Sequence, residues 1–256
     1  MPASGLSLGG GVQLALCTLL TIIVTSGSML INDYHDFMRG VDTIKTKPHR
    51  PLPRGDISPH MVKRALKWMY AAHLSLICLV DAAPTRLWVL GSTLLTYLYS
   101  QHLKPRTGLK NFVCALIIAM AVGVGAMAVG GFPAGLAAVW PSMLIVGCGI
   151  FHRELLMDIK DISGDAMTGV PTVPVLLGRD GAYLVSLVPL LGAGLTAAFG
   201  APGARVAAAA VGPICIMLAL SLKAKAGGFS KPSLALAIES APVWLACSIG
   251  TLMRAA

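Results

Sequence analysis

Residues 11–42 read GVQLALCTLLTIIVTSGSMLINDYHDFMRGVD, a long apolar run closed by acidic residues. No charge occurs from Gly11 to Asn32. The run matches the ~20 residues with which an α-helix crosses a bilayer. Asp33, Asp36 and Asp42 follow at once, so an apolar helix ends in a carboxylate cluster.

The rest of the chain repeats the theme. Apolar residues make up 55% and charged residues 12% of the 256, with a mean hydropathy of +0.76. A soluble domain carries about twice that charged fraction. Eight spans are predicted, at 11–31, 63–80, 86–101, 112–130, 134–152, 182–200, 206–222 and 233–253. The fold class is therefore all-α, a multi-span transmembrane helical bundle. Gly123-Val-Gly125 and Gly192-Ala-Gly194 lie inside apolar spans, where small residues serve close helix packing rather than phosphate binding. The six cysteines all lie in apolar runs without CxxC spacing, which points to neither a disulfide framework nor a zinc site. The first ten residues are uncharged, unlike the basic start of a secretory signal, so the first run is read as structure.

Charge sets the orientation. Numbering the connecting loops in order, 17 of the 20 Lys and Arg residues fall on odd loops, leaving Arg86, Arg205 and Arg254 for the other face. Positive loops stay inside, so the odd face is expected to be cytosolic or the organellar equivalent. The basic residues are spread over four loops, and this excludes a nucleic-acid surface. Nine of the eleven carboxylates share that face, in loops one and five.

These carboxylates fall into two stripes. If the first span continues to about Asp36, Asn32 and Asp36 share a helix face at i and i+4, with Asp33 and Asp36 at i and i+3. Asp158, Asp161 and Asp165 follow i, i+3, i+7 and line one face likewise. Carboxylates at a membrane edge are costly unless a cation compensates. Facing each other, two such stripes would form an oxygen-rich cage suited to Mg²⁺, which takes one or two carboxylates and completes its shell with water and phosphate. Lys45, Lys47, Arg50, Arg153 and Lys160 nearby suit a phosphorylated ligand. The combination predicts a diphosphate held through Mg²⁺.

At this point the residues resemble the UbiA superfamily of intramembrane prenyltransferases. One signature is Asn32-Asp-Tyr-His-Asp36-Phe-Met-Arg-Gly-Val-Asp42-Thr, followed by His49-Arg-Pro-Leu-Pro-Arg-Gly55-Asp-Ile-Ser58. The other is Arg153-Glu-Leu-Leu-Met-Asp158-Ile-Lys-Asp161-Ile-Ser-Gly-Asp165, followed by Gly169-Val-Pro-Thr-Val-Pro174 and Leu177-Gly178. A smaller echo is Tyr97-Leu-Tyr-Ser100 with Leu103-Lys104 and Lys110-Asn111. The resemblance spans nearly the whole chain, so residues 1–256 read as one such domain.

The resemblance implies a bundle with a central cavity, both Asp motifs at its mouth, and prenyl diphosphate bound through two Mg²⁺. Asp33, Asp36, Asp158 and Asp161 are the implied catalytic residues. Asn32, Asp33, Asp36 and Asp42 would serve one metal, and Asp158, Asp161 and Asp165 the other. Arg50, Lys104 and Arg153 would contact the diphosphate. Prenyl transfer to an aromatic, quinone-precursor-like ring or to a lipid hydroxyl within the bilayer is the expected activity. The motif is mixed. Arg39-Gly-Val before Asp42 is similar to naphthoate-type members, whereas Arg-Pro-Leu-Pro-Arg-Gly is similar to members acting on chlorophyllide, glycerol lipids or benzoate rings. The family usually has nine spans with the Asn-Asp motif after the second; here one span precedes it, so the first family helix is expected to be missing. Two other functions stay open, a membrane terpene cyclase of the same fold and an ion-coupled transporter. The latter needs ionisable groups near span centres.

Overall fold

The protein is described here by a computed structural model covering residues 9–100, 108–167 and 169–255. Among these residues the chain is helical throughout, with α1 (Gly10–Met38), α2 (Pro51–Arg54), α3 (Pro59–Ile77), α4 (Ala83–Leu98), α5 (Leu109–Gly130), α6 (Ala134–Met167), α7 (Val173–Phe199), α8 (Ala204–Ala226) and α9 (Lys231–Ala255).

The eight long helices coincide with the eight predicted spans. Six of them (α1 and α5–α9) are long and apolar enough to cross a membrane. The other two fall short for visible reasons. α4 has only 16 residues, and the first turns of α3 carry Lys63, Arg64 and Lys67. Short or partly polar helices are tolerated in a bundle whose neighbours cover them.

Chain chemistry explains the boundaries. α1 ends where Gly40 adopts a left-handed φ of 72°, and α2 ends at Gly55 with φ 81°. Ser58 then caps α3, its side chain accepting from the Met61 amide at 3.2 Å, with Pro59 in the first turn. Such a Ser-Pro start satisfies or removes amides that a helix N-terminus leaves without partners. Gly178 is non-helical inside α7 and separates a first turn from the long apolar segment.

Polar contacts between helices fix their directions. At the start of α1, Gln13 Nε2 donates to the Leu79 carbonyl just beyond α3 (3.2 Å). Near its end, Ser28 meets Ser100 beyond α4 (3.3 Å). Tyr183, early in α7, meets Ser221, late in α8 (3.3 Å). Ser248, late in α9, donates to the Ala210 carbonyl, early in α8 (2.8 Å). The bundle therefore alternates up and down. The late ends of α1, α4, α6 and α8 lie together with the early ends of α3, α5, α7 and α9.

Among the buried apolar clusters that hold this arrangement, two join most of the helices. Ile145, Ile150, Leu190, Ala193, Ile214 and Leu245 join α6 to α7, α8 and α9. Leu20, Ile77, Val89 and Val124 join α1, α3, α4 and α5. α5 packs on both α1 and α6, whereas α1 and α6 share no comparable interface. An apolar groove of about 600 Å³ runs between α7 and α8, lined by Leu187, Leu191, Gly194, Val211, Ile214 and Leu218, away from the acidic ends.

Candidate functional site

The first acidic stripe is built by helix continuation. α1 runs seven residues beyond the apolar span, to Met38, and so puts Asn32 and Asp36 one above the other. The chain then folds back at Gly40, and the Val41 and Asp42 amides donate to the Asp36 carbonyl at 2.9 and 3.1 Å. This returns Asp42 to the stripe, where it is buried. Arg50, at the start of α2, bridges the cluster: its Nη1 lies 2.5 Å from Asp33 Oδ1 and 2.5 Å from Asp42 Oδ2. One guanidinium nitrogen thus serves two carboxylates.

The second stripe is built the same way. α6 continues to Met167 because Leu155, Leu156 and Ile159 keep a buried seam after the apolar span has ended. Asp158, Asp161 and Asp165 ride on this extension. Asp158 is buried, and both its oxygens are taken by the first turn of α5. Lys110 Nζ stands 2.7 Å from Oδ1, and Asn111 Nδ2 donates to Oδ2 at 3.0 Å. Asp161 is exposed. Arg153 Nη1 pairs with Glu154 at 2.7 Å, while its Nε donates to the Ile238 carbonyl of α9 at 3.2 Å.

Both stripes lie at the same end of the bundle. Tyr99, just beyond α4, stands within electrostatic reach of Asp36 on one side and of Asp158 and Glu154 on the other. Two carboxylates of the same loops stay outside. Asp56 pairs locally with Arg54 at 3.0 Å, and Asp180 with Lys225 at 3.5 Å. Lys104, expected at the diphosphate, lies outside the described residues.

Among the described residues, no three His, Cys, Asp or Glu side chains converge into a ready metal cage. What the site offers is hard oxygen donors in ones and twos. Asn32 Oδ1 and Asn111 Oδ1 are buried with no hydrogen-bond partner among the described residues. Unpartnered buried oxygens are costly, and a cation relieves the cost. This donor set fits Mg²⁺, which binds through few protein oxygens plus phosphate and water.

The sequence reading gave Lys110 and Asn111 no role at Asp158. Their signal is faint, since Lys110-Asn111 enters only as part of a short motif echo and Lys110 as one more positive loop charge. Tyr99 was likewise quoted without a place between the stripes.

Comparisons with known proteins agree with this architecture. The model of the UbiA prenyltransferase family matches residues 3–237. Digeranylgeranylglyceryl phosphate synthase of Halobacterium salinarum (strain ATCC 29341 / DSM 671 / R1) is 33% identical over 180 residues, which is 68% of this chain and 60% of that protein. The synthase of the same name from Thermococcus kodakarensis is 33% identical over 192 residues, 72% of this chain and 65% of that one. The chain thus spans somewhat under two thirds of the length of these curated relatives. The solved apo structure of a UbiA homolog from Aeropyrum pernix K1 superposes with a TM-score of 0.74 at 20% identity, covering 96% of this chain and 90% of that one. A structure from work on digeranylgeranylglyceryl phosphate synthase in membranes gives 0.72 at 19% identity, covering 95% and 85%. The bundle, the two Asp motifs in order, and a family match over residues 3–237 agree: this chain belongs to the UbiA prenyltransferase family.

Proposed function

We propose that the protein is an intramembrane prenyltransferase that moves a prenyl group from a prenyl diphosphate to the hydroxyl of a prenylated glyceryl phosphate lipid. The observation that carries this reading is that two acidic stripes lie at one end of an apolar bundle, each with a basic side chain bound to its carboxylates. The lipid acceptor, rather than an aromatic ring, is supported by relatives 33% identical whose name is digeranylgeranylglyceryl phosphate synthase.

The chain's own groups divide the work. Asn32, Asp33, Asp36 and Asp42 would hold one Mg²⁺, and Asp158, Asp161 and Asp165 the other. Bound there, Mg²⁺ would supply Lewis-acid stabilisation of the charge on the departing diphosphate. Arg50 and Arg153 orient the diphosphate oxygens with charge-assisted hydrogen bonds. The ion pair of Arg153 with Glu154 and its bond to the Ile238 carbonyl set the direction of that guanidinium. Apolar surface between the helices keeps water from the allylic cation, so the acceptor hydroxyl oxygen forms the new carbon–oxygen bond and its proton leaves to the released diphosphate. The acidic face is proposed to be cytosolic, on the strength of 17 of 20 basic residues. A carrier is disfavoured because the carboxylates cluster at one edge rather than at span centres.

Isolated membranes given Mg²⁺, labelled prenyl diphosphates of several lengths and a panel of glyceryl phosphate and aromatic acceptors test the reading. Labelled ether lipid is the expected product. Asp36→Ala and Asp161→Ala should each lower turnover by about 10²-fold or more, the scale of losing one transition-state charge stabiliser. Unchanged turnover in both variants removes the mechanism.

A further inference from the structure

Among the described residues, each acidic stripe holds a basic side chain bound directly to its carboxylates. On the first it is Arg50, shared by Asp33 and Asp42. On the second it is Lys110, 2.7 Å from Asp158, with side chains only 16% and 9% exposed. Lys110 comes from α5, the helix that packs on both stripe-bearing helices. Its charge also acts on Glu154 and Asp165.

We propose that Lys110 is an exchangeable counter-ion and a diphosphate ligand of the second stripe. It holds Asp158 until a metal takes the carboxylate, and then turns to the diphosphate that arrives with the metal. This rests on the functional reading above and adds a residue to it. The ammonium and a divalent cation compete for Asp158 Oδ1. Asn111, bonded to Oδ2 at 3.0 Å, keeps the carboxylate oriented while the other oxygen changes partner. A lysine suits the exchange because its compact charge rides on a flexible four-carbon stem. When metal and diphosphate bind together, the anionic ligand replaces the carboxylate as partner and the largely covered ammonium stays compensated.

The proposal requires that loss of Lys110 act in opposite directions on two ligands. Wild type, Lys110→Met and Lys110→Arg are purified as the full chain in nanodiscs. Mn²⁺ binding without diphosphate is read from the free-ion electron paramagnetic resonance signal. Farnesyl thiolodiphosphate binding in Mg²⁺ is read by equilibrium dialysis. Lys110→Met should bind Mn²⁺ roughly tenfold more tightly and the thiolodiphosphate roughly tenfold more weakly, as expected for removing one unit charge at contact distance in a partly screened site. Lys110→Arg should stay within about threefold of wild type on both, because the charge is kept. A lysine that only stabilises the fold would shift both affinities the same way or neither, and that result overturns the proposal.

A second measurement needs no variant. Acylation of the Lys110 amine in wild type, followed by mass spectrometry, should speed up with Mn²⁺ alone and slow down with Mn²⁺ plus thiolodiphosphate. Equal rates in all conditions overturn the exchange. Wild type that binds neither ligand overturns the functional reading itself, whereas normal binding with equal rates removes only the role of Lys110.

Discussion

Arg50 shows how one side chain can serve both stability and ligand binding. Asp42 is 4% exposed, and it pairs with the same guanidinium nitrogen that holds Asp33. Removing the arginine leaves a buried carboxylate uncompensated, and breaking such a pair is more damaging than never having it. Arg50→Ala should therefore lower stability by about 1–2 kcal/mol, a figure already discounted because Arg50 itself is partly exposed. Adding Asp42→Asn removes the stranded charge and should restore most of the loss. The same double variant should keep a KM for prenyl diphosphate above that of Asp42→Asn alone, since the cation is still missing. Thermal melts and steady-state kinetics on wild type, the two single variants and the double variant separate the two roles. A KM that recovers together with the melting temperature would assign Arg50 a purely structural part.

Helix packing sets the stripes at the element scale, and α6 shows how. Gly149 lies one turn before Arg153, and a side chain there would collide with the Leu245 side chain of α9. Close approach of α9 at this level also brings the Ile238 carbonyl to Arg153. Gly149→Val should cost about 1–3 kcal/mol by overpacking. Leu245→Ala in the same chain should recover part of it by opening room. Chemical or thermal denaturation of the single and double variants in detergent checks the coupling, and additive losses would refute a direct α6–α9 contact. The extension of α6 past His152 illustrates what the sequence could and could not disclose. Hydropathy ends at Arg153, which is where the span was drawn. The helix persists because Leu155, Leu156 and Ile159 continue its buried seam, a periodic signal weaker than an apolar run. The acidic spacing itself carried the face, so Asp158, Asp161 and Asp165 were legible. The Lys110–Asp158 pair was not, because 48 residues separate its members and nothing local encodes it. The four-residue α2 escaped for a different reason, since one turn is too short to show a period.

For the whole molecule, alternation is the deciding property. The charge count put odd loops on one face, and the interhelical hydrogen bonds independently put the same chain ends together. Two unrelated signals, one from insertion and one from folding, agree because both count the same helices. α3 and α4 matter most for this parity, since neither is long and apolar enough by itself to be recognised as a span. If either lay along the interface instead of crossing, every later loop would change sides, and the two acidic stripes would face opposite compartments. The helix directions oppose this, because Gln13 ties the far end of α3 to the start of α1 while Ser28 ties the end of α4 to the late part of α1. A protease site inserted at 45–47 and another at 178–180 should therefore be cut from one and the same side of sealed vesicles. A third at 201–203 should be cut only from the opposite side. Positive-inside topology makes the first side cytosolic, so inside-out bacterial vesicles should expose the first two sites and protect the third. Cleavage at 45–47 and 178–180 from different sides would separate the acidic stripes across the bilayer, and no single diphosphate could then touch both.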